Sequence, residues 1–313
     1  MNESSPKVSI VLPTYNGAKY IWQSIDSCLN QTHKNIELII VDDGSIDETY
    51  QIIRSHQDKR VKYIRHEKNK GLPRALNAGF AKATGEYLTW TSDDNYYAKK
   101  AIEKMLSFLK NKPCEFVYCD FYIFNENKIS GRNLIASPDS LNLKDNNFIG
   151  PCFLYSAKVK EVIGNYHPDT ELAEDYDYWI RISKKFSIAH LKEPLYFYRI
   201  HKKSLFSTRY REIQIVTLLV KIKNDILDIE PATDLLINFI ARNISRYVKL
   251  NKILVKILFS KKIGATLRNF KTRKISLKIA ELNLISINNK LISILRLPIL
   301  IRQTFQKVLK RRT

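Results

Sequence analysis

Among the adjacent acidic residues of this chain, Asp42-Asp43, Asp93-Asp94 and Glu174-Asp175 are the pairs whose placement could do chemistry. Adjacent carboxylates repel, so a fold that keeps them together supplies a cation, a hydrogen-bond donor or a shared proton. Mg2+ and Mn2+ bind through oxygen, commonly to one or two carboxylates, with substrate phosphates completing the shell. Asp93-Asp94 is the candidate for that role. Asp42-Asp43 can accept hydrogen bonds from a base or a ribose, and Tyr15 can stack on a base. Each pair alone also suits a helix or turn cap, since Asp is a common N-cap. Two pairs at neighbouring strand ends weigh against capping as the whole explanation.

The elements needed to hold these residues are legible in the apolar runs. Val8 to Leu12, Glu37 to Val41, Val61 to Ile64 and Tyr87 to Trp90 read as strands. Between and after them, helical spacing covers Ala18 to Gln31, Asp47 to His56 (Asp47 as N-cap), Pro73 to Ala83 and Lys99 to Lys110. This alternation predicts an α/β fold with a mostly parallel central sheet flanked by helices. Farther on, Phe116 to Phe124 and Leu195 to Arg199 read as strands, Asp175 to Lys185 as a helix, and 125–150 as polar and irregular. Ligands bind such sheets beyond the carboxyl ends of the strands. Three ends carry polar motifs: Pro13-Thr14-Tyr15-Asn16, Asp42-Asp43-Gly44-Ser45 and Ser92-Asp93-Asp94-Asn95. No Rossmann glycine fingerprint or Walker loop is present, so phosphate charge falls to a metal and to basic side chains such as Arg74.

Charge divides the chain. The 313 residues carry a net +21, and residues 242–313 hold 19 Lys and Arg against one acid, Glu281. The remainder is nearly balanced. Cys28, Cys114, Cys119 and Cys152 lack C-x-x-C spacing and read as free thiols. No apolar signal region opens the chain, and no run of 18 apolar residues predicts a membrane span, so the catalytic half is expected to face the cytoplasm.

In order, Pro13-Thr-Tyr-Asn16, Val41-Asp-Asp-Gly-Ser45, Asn69-Lys-Gly71, Ala75-Leu-Asn77, Gly85-Glu-Tyr87, Ser92-Asp-Asp94, Ala173-Glu-Asp-Tyr-Asp-Tyr-Trp179 and Tyr198-Arg-Ile-His201 resemble family 2 of the inverting glycosyltransferases. The resemblance covers about residues 6–205. It implies a GT-A fold, a nucleotide-sugar donor, usually a UDP-sugar, and a divalent metal, Mn2+ or Mg2+. By motif match, Pro13, Thr14, Tyr15 and Asp43 lie at the nucleoside, with Asp42 nearby. Asp93 approaches the ribose, and Asp94 ligates the metal on the diphosphate. Many relatives read Asp-x-Asp-Asp, whereas Thr91 stands two residues before Asp93 here, which puts metal affinity or the ribose contact in question.

An inverting transfer needs a carboxylate to take the acceptor hydroxyl's proton and a metal to offset charge on the leaving phosphate. The family motif assigns the base to Asp175, with Glu174 beside it on the acceptor side; Asp177 is a weaker competitor. A preference of acids for a helix N-terminus is the plainer explanation of the pair. Trp179 and Ile180 read as core. Arg199 and His201 match a late family motif near the diphosphate, and His201 is a candidate metal ligand.

Lys252 to Phe259 and Leu291 to Val308 alternate cationic and apolar residues, as amphipathic helices on anionic membranes do. A solvated helical bundle would show the same pattern; no nucleic-acid motif accompanies the charge, and no nucleic-acid partner is expected. The expected organisation is a catalytic domain over 1–205, with donor binding about 6–100 and acceptor binding about 101–205, and a basic helical region over 206–313. The expected function is metal-assisted transfer of a sugar to a glycan or lipid-linked acceptor in surface polysaccharide synthesis, by a protein peripheral on the inner face of the cell membrane. Two rivals are a sugar-phosphate nucleotidylyltransferase, whose glycine-rich N-terminal loop is missing, and a non-catalytic membrane-binding relative, which would have lost Asp94 or Asp175.

Overall fold

The computed structural model describes residues 5–125, 132–138 and 142–227. Their secondary structure begins with β1 (Val8–Thr14), α1 (Ile21–Leu29), β2 (Ile36–Asp42), α2 (Thr49–Ser55), β3 (Val61–Arg65), α3 (Leu72–Phe80) and β4 (Tyr87–Trp90). There follow β5 (Tyr96–Tyr97), α4 (Ala101–Asn111), β6 (Phe116–Asn125), β7 (Arg132–Ile135), β8 (Phe153–Ser156), α5 (Ala157–Ile163), a 3-10 turn (Pro168–Thr170), α6 (Glu174–Ser183), β9 (Ile188–Ile200) and α7 (Leu205–Lys223). One sheet runs in the order β3-β2-β1-β4-β8-β6-β9-β5, with β7 on β6.

The expected parallel sheet is present at its front. β1 pairs in parallel with both β2 and β4, and β2 with β3. Every residue of β1 and β2 is buried, as strands covered on both faces require. Beyond β4 the sheet is mixed, because β8 runs antiparallel to both β4 and β6, while β9 returns parallel to β6. Pro194 cannot donate to a ladder, and the β6–β9 register shifts around Asp120, its partner.

The core lies between the sheet and its helices. Ile21, Ile25 and Cys28 of α1, with Ile102, Met105 and Leu106 of α4, pack with Leu12, Leu38 and Val117 of the strands. Trp179 and Ile180 of α6 are buried, as expected. The Trp179 ring lies 4.5 Å from Phe153 and 5.0 Å from Phe116, and Tyr178 stacks on Tyr166 at 4.1 Å. This aromatic packing fixes where α6 begins. All four cysteines are free, and three are buried.

The first compact unit ends at Ile213, and Gln214 begins the second. Among the described residues no helix is long and apolar enough to cross a membrane. The basic stretches at 252–259 and 291–308 lie outside the described residues.

Candidate active site

The parallel register brings the first two motifs side by side, with Thr14 opposite Asp42. The Asp43 amide donates to the Thr14 carbonyl at 2.8 Å. Asn16, with φ of 55°, ties the two loops together. Its amide donates to Ser45 Oγ at 2.9 Å, and its Oδ1 accepts from the Ile46 amide at 2.9 Å. Pro13 pairs with Val41 of β2, but β4 pairing ends at Val11. The proline therefore sits where β1 has lost its second neighbour. Tyr15, just beyond, is 47% exposed.

Asp42 is fully buried. It accepts from the Ser45 amide at 2.7 Å and from the Tyr63 hydroxyl at 2.9 Å. Burial and the Asp42 carboxylate push the Tyr63 phenol up to about 12. Asp43 accepts from His66 Nδ1 at 2.6 Å, the Lys70 amide at 3.0 Å and the Gly71 amide at 2.8 Å. It thus anchors the 66–71 loop, the Lys70 amide reaching both of its oxygens. Gly71 has φ of 93°, and an added Cβ would lie 2.8 Å from Glu171 Oε2. Arg74 is exposed, with Nη1 donating to the Lys70 carbonyl at 3.1 Å.

The third motif follows β4. Thr14 Oγ1 donates to Asp93 Oδ2 at 2.5 Å, joining the first and third strand ends. Burial, then the neighbouring Asp94 charge, push the Asp93 carboxyl up to about 7. A Cβ on Gly17 would stand 2.1 Å from Asp93 Oδ2, so glycine is required for this close approach. Thr91 is buried, and its hydroxyl bonds Tyr196 at 2.6 Å. The position that departs from Asp-x-Asp-Asp is therefore turned into the core.

Asp94 is held from β9. His201 Nε2 lies 3.0 Å from Asp94 Oδ2, while Asp94 Oδ1 is buried without a hydrogen-bond partner. A buried carboxylate oxygen in that state fits a cation ligand. Among the described residues no three His, Cys, Asp or Glu side chains cluster as a metal cage. Asp94 and His201 thus suit an Mg2+ or Mn2+ whose other ligands come from a diphosphate. Arg199, grouped with His201 by the sequence, is a brace. Its Nε donates to the Asp94 carbonyl at 2.9 Å and its amide to Asn95 Oδ1 at 2.7 Å. Its guanidinium also bonds Gln23 and lies 4.5 Å from the Tyr20 ring centre and 4.6 Å from that of Phe124.

The second acidic group opens α6. Glu174 Oε2 accepts from the Leu172 amide at 2.7 Å. Burial, then the Asp175 charge, push the Glu174 carboxyl up to about 8. Asp175 is raised by burial, although the Tyr176 amide and Asn147 donate to it at 2.7 and 2.9 Å. Burial thus raises both carboxyls of the pair, and the Asp175 charge raises Glu174 further. Asp177 is fully buried and paired with Arg181 at 2.9 Å and His167 at 3.0 Å. That makes it a helix anchor rather than a competing base. Tyr198 of β9 links the two halves: burial, then the Asp94 and Asp175 charges, push its phenol up to about 12. The Asp94 and Asp175 charges therefore act on one side chain.

Sequence reasoning missed His66 and Asn147. His66, which in sequence reads as an ordinary loop histidine, immediately follows β3, where the rule that ligands bind beyond strand ends applies as well. Asn147 lies in the irregular stretch and reaches Asp175 only through the tertiary fold, so no local signal marked it.

Residues 9–167 match the profile of Glycosyl transferase family 2. The chain is 34% identical over 227 residues to the uncharacterized glycosyltransferase RP339 of Rickettsia prowazekii, covering 68% of this chain and 70% of the relative. It is 31% identical over 212 residues to the UDP-Glc:alpha-D-GlcNAc-diphosphoundecaprenol beta-1,3-glucosyltransferase WfaP of Escherichia coli, covering 66% and 82%. Among solved structures, residues 1–349 of S. aureus TarS in complex with UDP-GlcNAc superpose with a TM-score of 0.58 at 19% identity, covering 92% of this chain and 83% of that one. That likeness shows the GT-A fold.

Proposed function

Since the chain belongs to glycosyltransferase family 2, we propose that it transfers a sugar from a UDP-sugar to a hydroxyl of a glycan or lipid-linked acceptor, with inversion, in surface polysaccharide synthesis. The acceptor hydroxyl attacks the anomeric carbon, Asp175 takes its proton, and the bond to the diphosphate breaks with its electron pair leaving on UDP. Pro13, Thr14, Tyr15, Asp42, Asp43 and Asp93 form the nucleoside side, with the Tyr15 ring exposed for stacking. Arg74 is near enough to the 66–71 loop to meet phosphate. Asp94 and His201 would hold Mn2+ or Mg2+, which offsets charge on the leaving diphosphate when bound. Glu174, beside Asp175 at the start of α6, belongs to the acceptor side.

The observation that carries this reading is that Asp94, with a buried oxygen lacking any partner, and Asp175 are both close enough for their charges to raise the buried Tyr198 phenol. A nucleotidylyltransferase has no need of the second carboxylate. A UDP-glucose glucosyltransferase acting on a diphosphoundecaprenol-linked sugar among the relatives supports the donor and acceptor classes. Such an acceptor is membrane-borne, and the basic tail suits association with the inner face of the membrane.

The test is a screen of UDP-sugars for release of UDP by the full-length protein, with and without a chelator. Release from at least one UDP-sugar, lost on chelation and restored by Mn2+ or Mg2+, is expected. Release only from other nucleotide sugars, or release indifferent to chelation, overturns the donor or the metal assignment respectively.

A further inference from the structure

Asn147 stands beside the proposed base with half of its amide in use. Its Nδ2 donates to Asp175 Oδ2 at 2.9 Å, whereas its Oδ1 is buried without a hydrogen-bond partner. The orientation follows from chemistry. An ionised carboxylate offers only lone pairs, so the NH2 end faces Asp175 and the oxygen is the free end. Buried acceptors are filled in native proteins, and one left open next to a reacting group marks a place for a ligand's donor. The surrounding segment is anchored on both sides. Leu143 and Ile149 are buried, and the Leu143 carbonyl accepts from the Tyr176 hydroxyl on α6. Asn147 is thus fixed relative to the helix that bears Asp175.

We propose that Asn147 positions Asp175 and receives, on Oδ1, a donor group adjacent to the attacking hydroxyl of the acceptor. This rests on the reading of Asp175 as the base and narrows the substrate class. The acceptor is a sugar whose reactive hydroxyl is flanked by a second hydroxyl or an acetamido N–H, rather than an isolated alcohol. The other titratable groups facing Asp175 are Glu174 beside it, Tyr166 and Tyr198. None of them can replace the Asn147 amide as a neutral two-ended link.

The first measurement needs no substrate. A carboxyl-carbon NMR titration of the full-length protein follows Asp175 in wild type, Asn147→Leu and Asn147→Asp. Asn147→Leu removes a donor to the ionised carboxylate and is expected to raise the Asp175 midpoint by about one pH unit, and Asn147→Asp, which also sets a like charge against it, by more. An unchanged midpoint in both overturns the proposal. The second compares transfer from UDP-glucose and UDP-N-acetylglucosamine to N-acetylglucosaminyl-diphosphoundecaprenol. Asn147→Leu is expected to raise the KM for acceptor about tenfold, whereas the near-isosteric Asn147→Asp keeps an acceptor oxygen and leaves that KM within about twofold. Equal acceptor KM in Asn147→Leu and wild type overturns the contact. Normal turnover by Asp175→Asn defeats the base assignment instead. If neither sugar is consumed, the titration alone decides Asn147.

Discussion

Asp93 and Asp94 are neighbours in sequence with opposite circumstances. Asp93 accepts a short bond from Thr14, while Asp94 shares one oxygen with His201 and leaves the other empty. Thr14 and Gly17 create the difference, since Gly17 lets the chain pass close over Asp93. Gly17→Ala places a methyl group 2.1 Å from Asp93 Oδ2 and 2.6 Å from Thr14 Oγ1, which must break that bond. The expected outcome is a rise in donor KM of about tenfold or more, equivalent to about 1.4 kcal/mol, with a fold that persists by circular dichroism. The residue types at the strand ends announced themselves, because acids directly after apolar strands have few reasons to be there. Partners did not. That Thr91 turns inward to Tyr196, or that Arg199 braces the Asp94 loop from more than a hundred positions away, depends on how β5 pairs with β9.

Among the elements, the parallel front of the sheet was legible because β1 and β2 are continuous apolar runs that nothing else explains. The far half was not. β5 is two residues long, β7 forms by pairing with β6, and β8 is a four-residue run leading directly into α5. Such strands exist through their neighbours rather than through local pattern. Helix ends were off by a few residues: α2 starts at Thr49, with Asp47 bonding the Thr49 amide and hydroxyl from outside the helix. One polar feature inside β2 carries a measurable consequence. Burial pushes the Glu37 carboxyl up, but bonds from Lys62, Ser9, Thr84 and Lys7 outweigh it and hold the group at about 2 against an ordinary 4.5. A depressed carboxylate stabilises the fold fully above its unfolded value and loses that contribution as pH falls from 4.5 through about 2. Glu37→Gln should therefore lower stability at pH 7 by on the order of 2 kcal/mol, discounted for the partly exposed lysines. The gap between variant and wild type in urea unfolding should narrow below pH 4. A gap constant with pH would contradict the ion-pair account.

At the scale of the whole molecule, a nearly neutral catalytic part is followed by a strongly basic end. Lys and Arg near an anionic surface contribute about 1 kcal/mol each, falling with salt. Full-length protein should bind anionic vesicles more tightly than neutral ones, and Lys252→Gln, Lys256→Gln, Arg302→Gln and Lys307→Gln together should weaken that binding at least tenfold. Binding equal to wild type would remove the membrane role of the tail. Sequence alone showed the division of charge but not the path of the chain between the donor and acceptor halves, where the buried Tyr198 phenol feels the charges of both Asp94 and Asp175. The central claim is that this arrangement transfers sugar with Asp175 as the base. Its most direct test is the rate of transfer from the preferred UDP-sugar to acceptor in wild type and Asp175→Asn, with donor affinity measured alongside. A loss of at least about a hundredfold in rate is expected, with donor affinity nearly unchanged; transfer at the wild-type rate in Asp175→Asn would mean that another group takes the proton.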